Sequence, residues 1–198
     1  MDSITIENLI AQGRQGNELA LAELFEHFQP RLQRMVELRL DARLKGRIDA
    51  ADVLQETFLD VVKGIDDYAQ HEDFPFFLWL RLMTGRRLMN VHRAHLAAQK
   101  RSAARERQRG NIPGATSMSL ADLFARSTTS VSKKVERAEL REKIEQSIEA
   151  MDPLDREILT LRHFEELSNS EVARELDLSK SAASNRYIRA LTRLREIM

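Results

Sequence analysis

Between Lys180 and Arg193 the chain carries four basic residues, Lys180, Arg186, Arg189 and Arg193, and no acidic one. Ser181, Ser184 and Asn185 are interleaved with them. Arginine and lysine bind phosphate, while arginine, asparagine and serine can also donate to base edges, so this mixture suits the reading of DNA. Two other stretches segregate charge. From Asp49 to Asp73 there are eight acidic residues against the single Lys63, and from Arg81 to Arg109 nine basic residues against the single Glu106. A chain that separates charge in this way presents one face to an anionic partner and another to a protein. His92 and His95, three apart on a helix, could ligate a metal, but they lack the further donors of a closed site, so phosphate contact or plain surface is expected. No phosphate-binding glycine loop, nucleophile elbow or paired catalytic carboxylates occur, and the sequence reads as a binding protein, not an enzyme, with no cofactor or metal.

The elements that must hold these groups follow from apolar spacing. Ser168 or Ser170 can cap a short helix with Val172, Ala173 and Leu176 on its inner face, Asp177 sits at a turn, and Ser179 or Ser181 caps a second helix. In that second helix Ala183, Tyr187, Ile188, Leu191 and Leu194 are expected to face inward, leaving Lys180, Ser184, Asn185, Arg186, Arg189 and Arg193 outside. This is a helix-turn-helix with a basic second helix. Upstream, the spacing predicts a helix over Ile4 to Gln15 and a longer one from Glu18 toward Lys45 with Leu21, Leu24, Phe25, Phe28, Leu32 and Val36 inward, kinked or broken at Pro30 and ended at Gly46. Asp49 or Asp52 then caps a helix with Val53, Leu54, Phe58, Val61 and Val62 on one face and Asp52, Gln55, Glu56 and Asp60 on the other. A loop is expected from Gly64 to Pro75, carrying Tyr68 among acids. A helix from Phe76 to about Ala98 follows, with Phe76, Phe77 and Trp79 as core. Gly110 to Ser132 has the composition of a linker, in which Leu120, Leu123 and Phe124 could form a short docking helix. Beyond it come one helix from about Val135 to Ala150 and another opened by Asp152 and Pro153.

Seven glycines and four prolines in 198 residues, with no alternating strand run, indicate an all-α chain. The expected architecture is two small helical domains, 1–100 and 135–198, joined by a flexible linker at 101–134. Cysteine is absent, and the formal net charge of +0 conceals the segregation described above. The absence of a disulfide framework fits a reducing compartment, and no apolar run suggests membrane insertion, so a cytoplasmic protein is expected.

Asp49-Ala-Ala-Asp-Val-Leu-Gln-Glu-Thr-Phe-Leu-Asp-Val-Val62, then Phe77-Leu-Trp-Leu80 ahead of a basic helix, then Met151-Asp-Pro-Leu-Asp-Arg-Glu-Ile-Leu-Thr-Leu-Arg162 before the helix-turn-helix, resemble a bacterial RNA polymerase sigma factor of the extracytoplasmic-function (ECF) group. The order and spacing of the three motifs carry the resemblance across nearly the whole chain. It implies a protein that binds core RNA polymerase and directs promoter recognition, DNA melting and initiation. By resemblance, Asp49, Asp52, Gln55, Glu56 and Asp60 would dock on the clamp helices of the catalytic subunit, and the second domain would meet the polymerase flap. Asp66, Tyr68, Arg86, Arg87, Asn90, Arg93 and Arg101 would hold the non-template strand of the minus-ten element, where stacking and cations are the expected equipment. Lys180, Ser181, Ser184, Asn185, Arg186, Arg189 and Arg193 would read the minus-thirty-five element. The family usually has asparagine where Arg86 and Arg87 stand. An anti-sigma factor is a further partner that the resemblance allows. Two alternatives differ in class. A helix-turn-helix regulator acting without polymerase would leave the Asp49 to Val62 motif unused, and an enzyme with a DNA-binding tail would need a nucleophile or metal cluster in its first half.

Overall fold

Side-chain caps set most of the helix starts. Asp2 accepts from the Thr5 amide at 2.8 Å and opens α1 (Ser3–Arg14), and Asn17 accepts from the Ala20 amide to open α2 (Glu18–Arg39). Asp49 and Asp52 cap one another, each carboxylate accepting the other's amide at 2.9 Å, at the start of α3 (Ala50–Tyr68). These bonds satisfy the amides that a helix start leaves without intrahelical partners. The next helix, α4, spans Phe76–Leu96. The later helices are α5 (Lys134–Glu149), α6 (Pro153–Leu159), α7 (Asn169–Glu175) and α8 (Lys180–Arg195). The structure, a computed structural model, describes residues 2–41, 43–44, 46–68, 74–96, 114–115, 120–121 and 134–196. Among them there is no β-strand, and the chain divides into two units, Met1–Pro113 and Gly114–Met198.

In the first unit α1 packs on α2, and α2, α3 and α4 pack on one another. All six apolar positions expected to face inward on α2 are buried. Pro30 lies within the helix without ending it. The α1–α2 contact is close enough that a Cβ at Gly13 would overlap the Leu21 side chain. Helix α2 ends at Arg39, not near Gly46, because Leu40 turns into extended backbone and Asp41 bonds the Arg43 amide and guanidinium. Helix α3 also departs from expectation: it continues through Gly64 and Asp66 to Tyr68, so the loop is shorter than Gly64 to Pro75. The reason is a continuous apolar stripe, since Val61, Ile65 and Tyr68 are all buried at helical spacing. Thr57 and Thr84 are fully buried on α3 and α4, each donating its hydroxyl to the carbonyl four residues back.

In the second unit α6 and α7 pack against α8, and α5 also touches α8. Asp152 caps α6 through the Leu154 amide, with Pro153 in the first turn where its missing amide is no loss. Ser168 caps α7 in a reciprocal box with Glu171, and Ser179, not Ser181, caps α8 by accepting from the Ala182 amide at 3.1 Å. Between α6 and α7 the chain winds through a π-helical turn, Thr160–Phe164, and then Glu166 takes a left-handed φ of 57°, neither of which was expected from sequence. The linker expected over 101–134 lies mostly outside the described residues, as do Leu123 and Phe124. Leu120 and Ala121 are described and fully buried.

Candidate polymerase and nucleic-acid interfaces

The acidic face of α3 is built by the same periodicity that builds its core. Val53, Leu54, Thr57, Val61 and Ile65 are buried, which leaves Asp52, Gln55 and Glu56 exposed one beside another. Leu59 is exposed on the same side of the helix, 48% accessible, and adds an apolar residue at the end of the acidic stripe. Asp60 behaves differently. Its carboxylate accepts from Arg87 Nε at 3.0 Å and from Nη2 at 2.5 Å, while Arg87 Nη1 lies 3.7 Å from Glu56. Two residues expected at separate interfaces, one for polymerase and one for the minus-ten strand, thus pair with each other across α3 and α4.

On α4, Arg86, Asn90 and Arg93 are exposed and lie along one helical face, and Arg93 donates to the Asn90 side-chain oxygen Oδ1 at 2.6 Å. Arg81, within the same basic stretch, is fully buried and faces the interior. Asp66 is exposed on α3. Tyr68 does not present its ring to solvent: it is buried against Phe76 and Trp79, with ring centroids 5.1 Å from each, and its hydroxyl donates to the Phe74 carbonyl at 2.8 Å. That burial pushes the Tyr68 hydroxyl pKa up. Its expected exposure in a loop is corrected by the length of α3, which delivers the ring to the aromatic core. Phe76, Phe77 and Trp79 are core, as expected. Arg101 and the side chain of His95 lie outside the described residues. His92 is half-buried and has a partner within the protein. Its Nε2 accepts from the Asp41 amide at 3.3 Å and fastens α4 to the end of α2. Burial lowers the His92 pKa, and the Arg43 guanidinium bonded to Asp41 holds that carboxyl at about 2.

Helices α7 and α8 form the helix-turn-helix. Val172 and Ala173 are buried, Asp177 adopts a left-handed φ of 52° at the turn, and the Asn169 side chain donates to the Lys180 carbonyl at 2.8 Å, tying the start of α7 to the start of α8. On α8 the buried positions are Ala183, Ala190 and Leu194, with Tyr187 partly covered beneath the Arg162 guanidinium. Ile188 is 57% exposed, correcting its expected inward placement. Spacing explains the exchange, since 183, 187, 190 and 194 form one stripe and residue 188 is turned about 100° from 187. The outer surface therefore carries Lys180, Ser181, Asn185, Ile188, Arg189 and Arg193, all exposed, with Ser184 half-buried. Arg186 is engaged internally, donating to Asp155 at 2.6 Å and to Asp152 at 3.5 Å.

A family model described as "ECF sigma factor" matches residues 3–197. The chain belongs to the ECF sigma factors. As a sigma factor it binds core RNA polymerase and promoter DNA in transcription initiation, which is the role its segregated charge equips it for. Among solved structures, CnrH in complex with the cytosolic domain of CnrY aligns with a TM-score of 0.56 at 21% identity, covering 98% of this sigma factor and 96% of that chain. A chain of the RsbN–BldN complex aligns with a TM-score of 0.34 at 18% identity over 96% and 99%. No curated protein sequence matches. Among the described residues of the sigma factor no helix is long and apolar enough to cross a membrane.

Proposed function

We propose that the two units divide the work of a sigma factor as 1–100 and 135–198 around a tether, with α3 docking on the clamp helices, α4 holding the minus-ten strand and α8 reading the minus-thirty-five element. The observation that carries this is the arrangement of α8. A capped helix, tied at its start to α7, exposes Asn185, Ile188 and Arg189 along one face, with Lys180 exposed in its first turn. Asn185 suits bidentate contact with adenine, Arg189 suits guanine or phosphate, and Ile188 suits a thymine methyl. On α4 the exposed Arg86, Asn90 and Arg93 are the cations and amide available to a single strand, with Asp66 on the neighbouring helix end. On α3, Asp52, Gln55 and Glu56 lie beside the exposed Leu59, pairing a charged patch with an apolar contact.

The protein works in the cytoplasm, where its polymerase is, and a masking anti-sigma factor is a further partner. CnrH was solved bound to the cytosolic domain of CnrY, which supports a protein partner of that kind. The experiment is run-off transcription by holoenzyme reconstituted with this chain on promoters altered at one element at a time. Asn185→Ala should cost about 1 to 3 kcal/mol on the preferred upstream element and relax base preference there. Arg193→Ala should weaken all sequences alike and lower the salt slope by roughly one ion. Unchanged promoter choice in Lys180→Ala, Asn185→Ala and Arg189→Ala together would remove α8 from this role.

A further inference from the structure

By sequence Arg186, like Asn185, is a candidate base reader on α8, yet its side chain is only 30% exposed. Its Nη1 lies 2.6 Å from Asp155 Oδ1 and 3.5 Å from Asp152 Oδ1. Both carboxylates belong to the first turn of α6, where Asp152 also caps the helix through the Leu154 amide. The Asp155 side chain is 18% exposed, and the more exposed Arg189 reaches to 3.8 Å of the same oxygen. A guanidinium held by carboxylates is a poor partner for a base edge, because reaching DNA would strip a partly buried acid of its counter-charge. It is, however, well suited to fix the rotation of α8 about its own axis, since it bridges the start of α6 to the middle of the reading helix.

We infer that Arg186 is a positioning residue and not a base reader: gripped by Asp155 and Asp152, it sets the angle at which α8 offers Asn185 and Arg189 to promoter DNA. Asn185 and Arg189 are four apart and share a face, so a small roll of the helix displaces both together. Asp155, a negatively charged group that itself has no place at a phosphate backbone, thereby becomes a determinant of promoter specificity. The inference rests on the reading of α8 proposed above.

The test uses full-length holoenzyme and the ratio of its affinities for promoters with a matched and a scrambled upstream element. Asp155→Asn and Arg186→Ala should each lower that ratio by roughly tenfold, and the double variant should be no worse than either, because both break one linkage. Discrimination should fall at the same base pairs that Asn185→Ala and Arg189→Ala affect, whereas general loss of the folded domain would erode it at every pair. Arg186→Lys, which keeps a point charge beside Asp155, should recover part of the ratio, and it serves in place of Arg186→Ala if that variant melts below the assay temperature. The salt slope of Arg186→Ala should match that of the parent. A gain in affinity on Asp155→Asn, additive losses in the double variant, or a salt slope lowered by about one ion in Arg186→Ala would each overturn the inference and return Arg186 to the DNA. If Asn185→Ala and Arg189→Ala also leave the ratio unchanged, the reading of α8 itself fails, and the inference with it.

Discussion

Helices α3 and α8 both carry a stripe of one sign of charge on an apolar back, but they hold that charge in different ways. On α3 Asp52 and Glu56 stand exposed, while Asp60, one turn further along, is used up by Arg87 from α4. On α8 the central cation, Arg186, is used up by acids from α6, and the exposed residues lie on either side of it. A docking face needs mainly complementary charge and an apolar contact, which tolerate some rotation. A face that reads bases needs its donors aimed, and the second unit commits an ion pair to aiming them.

The largest expected effect comes from reversing the docking charge. Asp52→Lys combined with Glu56→Lys should weaken binding to core polymerase by several kcal/mol in a sedimentation or fluorescence titration, since like charges would then face each other across the interface. The stability lost should be small, about 1 kcal/mol for the α3 cap that Asp52 supplies and a few tenths more for the exposed Glu56 beside Arg87. Undiminished binding by this variant would mean that α3 is not the docking helix.

The aromatic core beneath that face comes next. Tyr68→Ala should destabilise the first unit by about 3 kcal/mol, whereas Tyr68→Phe, which loses only the bond to the Phe74 carbonyl, should cost about 1 kcal/mol by urea titration. Equal costs for the two would put the ring outside the core.

A smaller effect tests the α4 latch through pH. The His92 pKa is lowered from 6.5, so its neutral form stabilises the fold fully above pH 6.5, and that stability is lost as pH falls through the lowered value. The Asp41 carboxyl, lowered from 3.8 to about 2, contributes above pH 3.8 and loses its share as pH falls through about 2. The melting temperature should therefore begin to decline below about pH 6.5, a decline shared with His27 and His163, whose pKa values burial also lowers, and His92→Asn should reduce it while keeping the one near the carboxylate range. The smallest effect concerns the turn of the second unit. Asp177 holds φ 52°, so Asp177→Gly should stabilise that unit by roughly 0.5 kcal/mol in the same melting assay, with promoter preference unchanged.

Helix starts and apolar faces were legible because each is written locally. Asp152, the six inward residues of α2 and the left-handed Asp177 all follow from neighbours within a few positions. What was not legible depends on partners far along the chain. Nothing near Asp60 announces Arg87, 27 residues away, and nothing near Arg186 announces Asp155, 31 residues away. A charge pattern lists ions without saying which of them the fold itself will consume. The exchange of Ile188 for Ala190 in the stripe of α8 has another cause. Isoleucine is the more apolar residue, but the stripe of 183, 187, 190 and 194 puts Ala190 inside and turns Ile188 out.

The π-helical turn at Thr160–Phe164 makes the second unit unusually sensitive to chain length at one point. It accommodates one residue more than an α-turn would, with the Glu165 amide bonded five residues back to the Thr160 carbonyl. Deleting a single residue there would let the turn relax to ordinary helix and keep its hydrogen bonds. It would also shorten the path from α6 to the left-handed Glu166 by one residue, shifting α7 and α8 against α6 and loosening the seat of Arg186 on Asp155. Such a one-codon deletion would yield a chain that still makes its helices but mis-indexes them, so lineages of this protein should accept length changes elsewhere in the second unit more readily than at this turn.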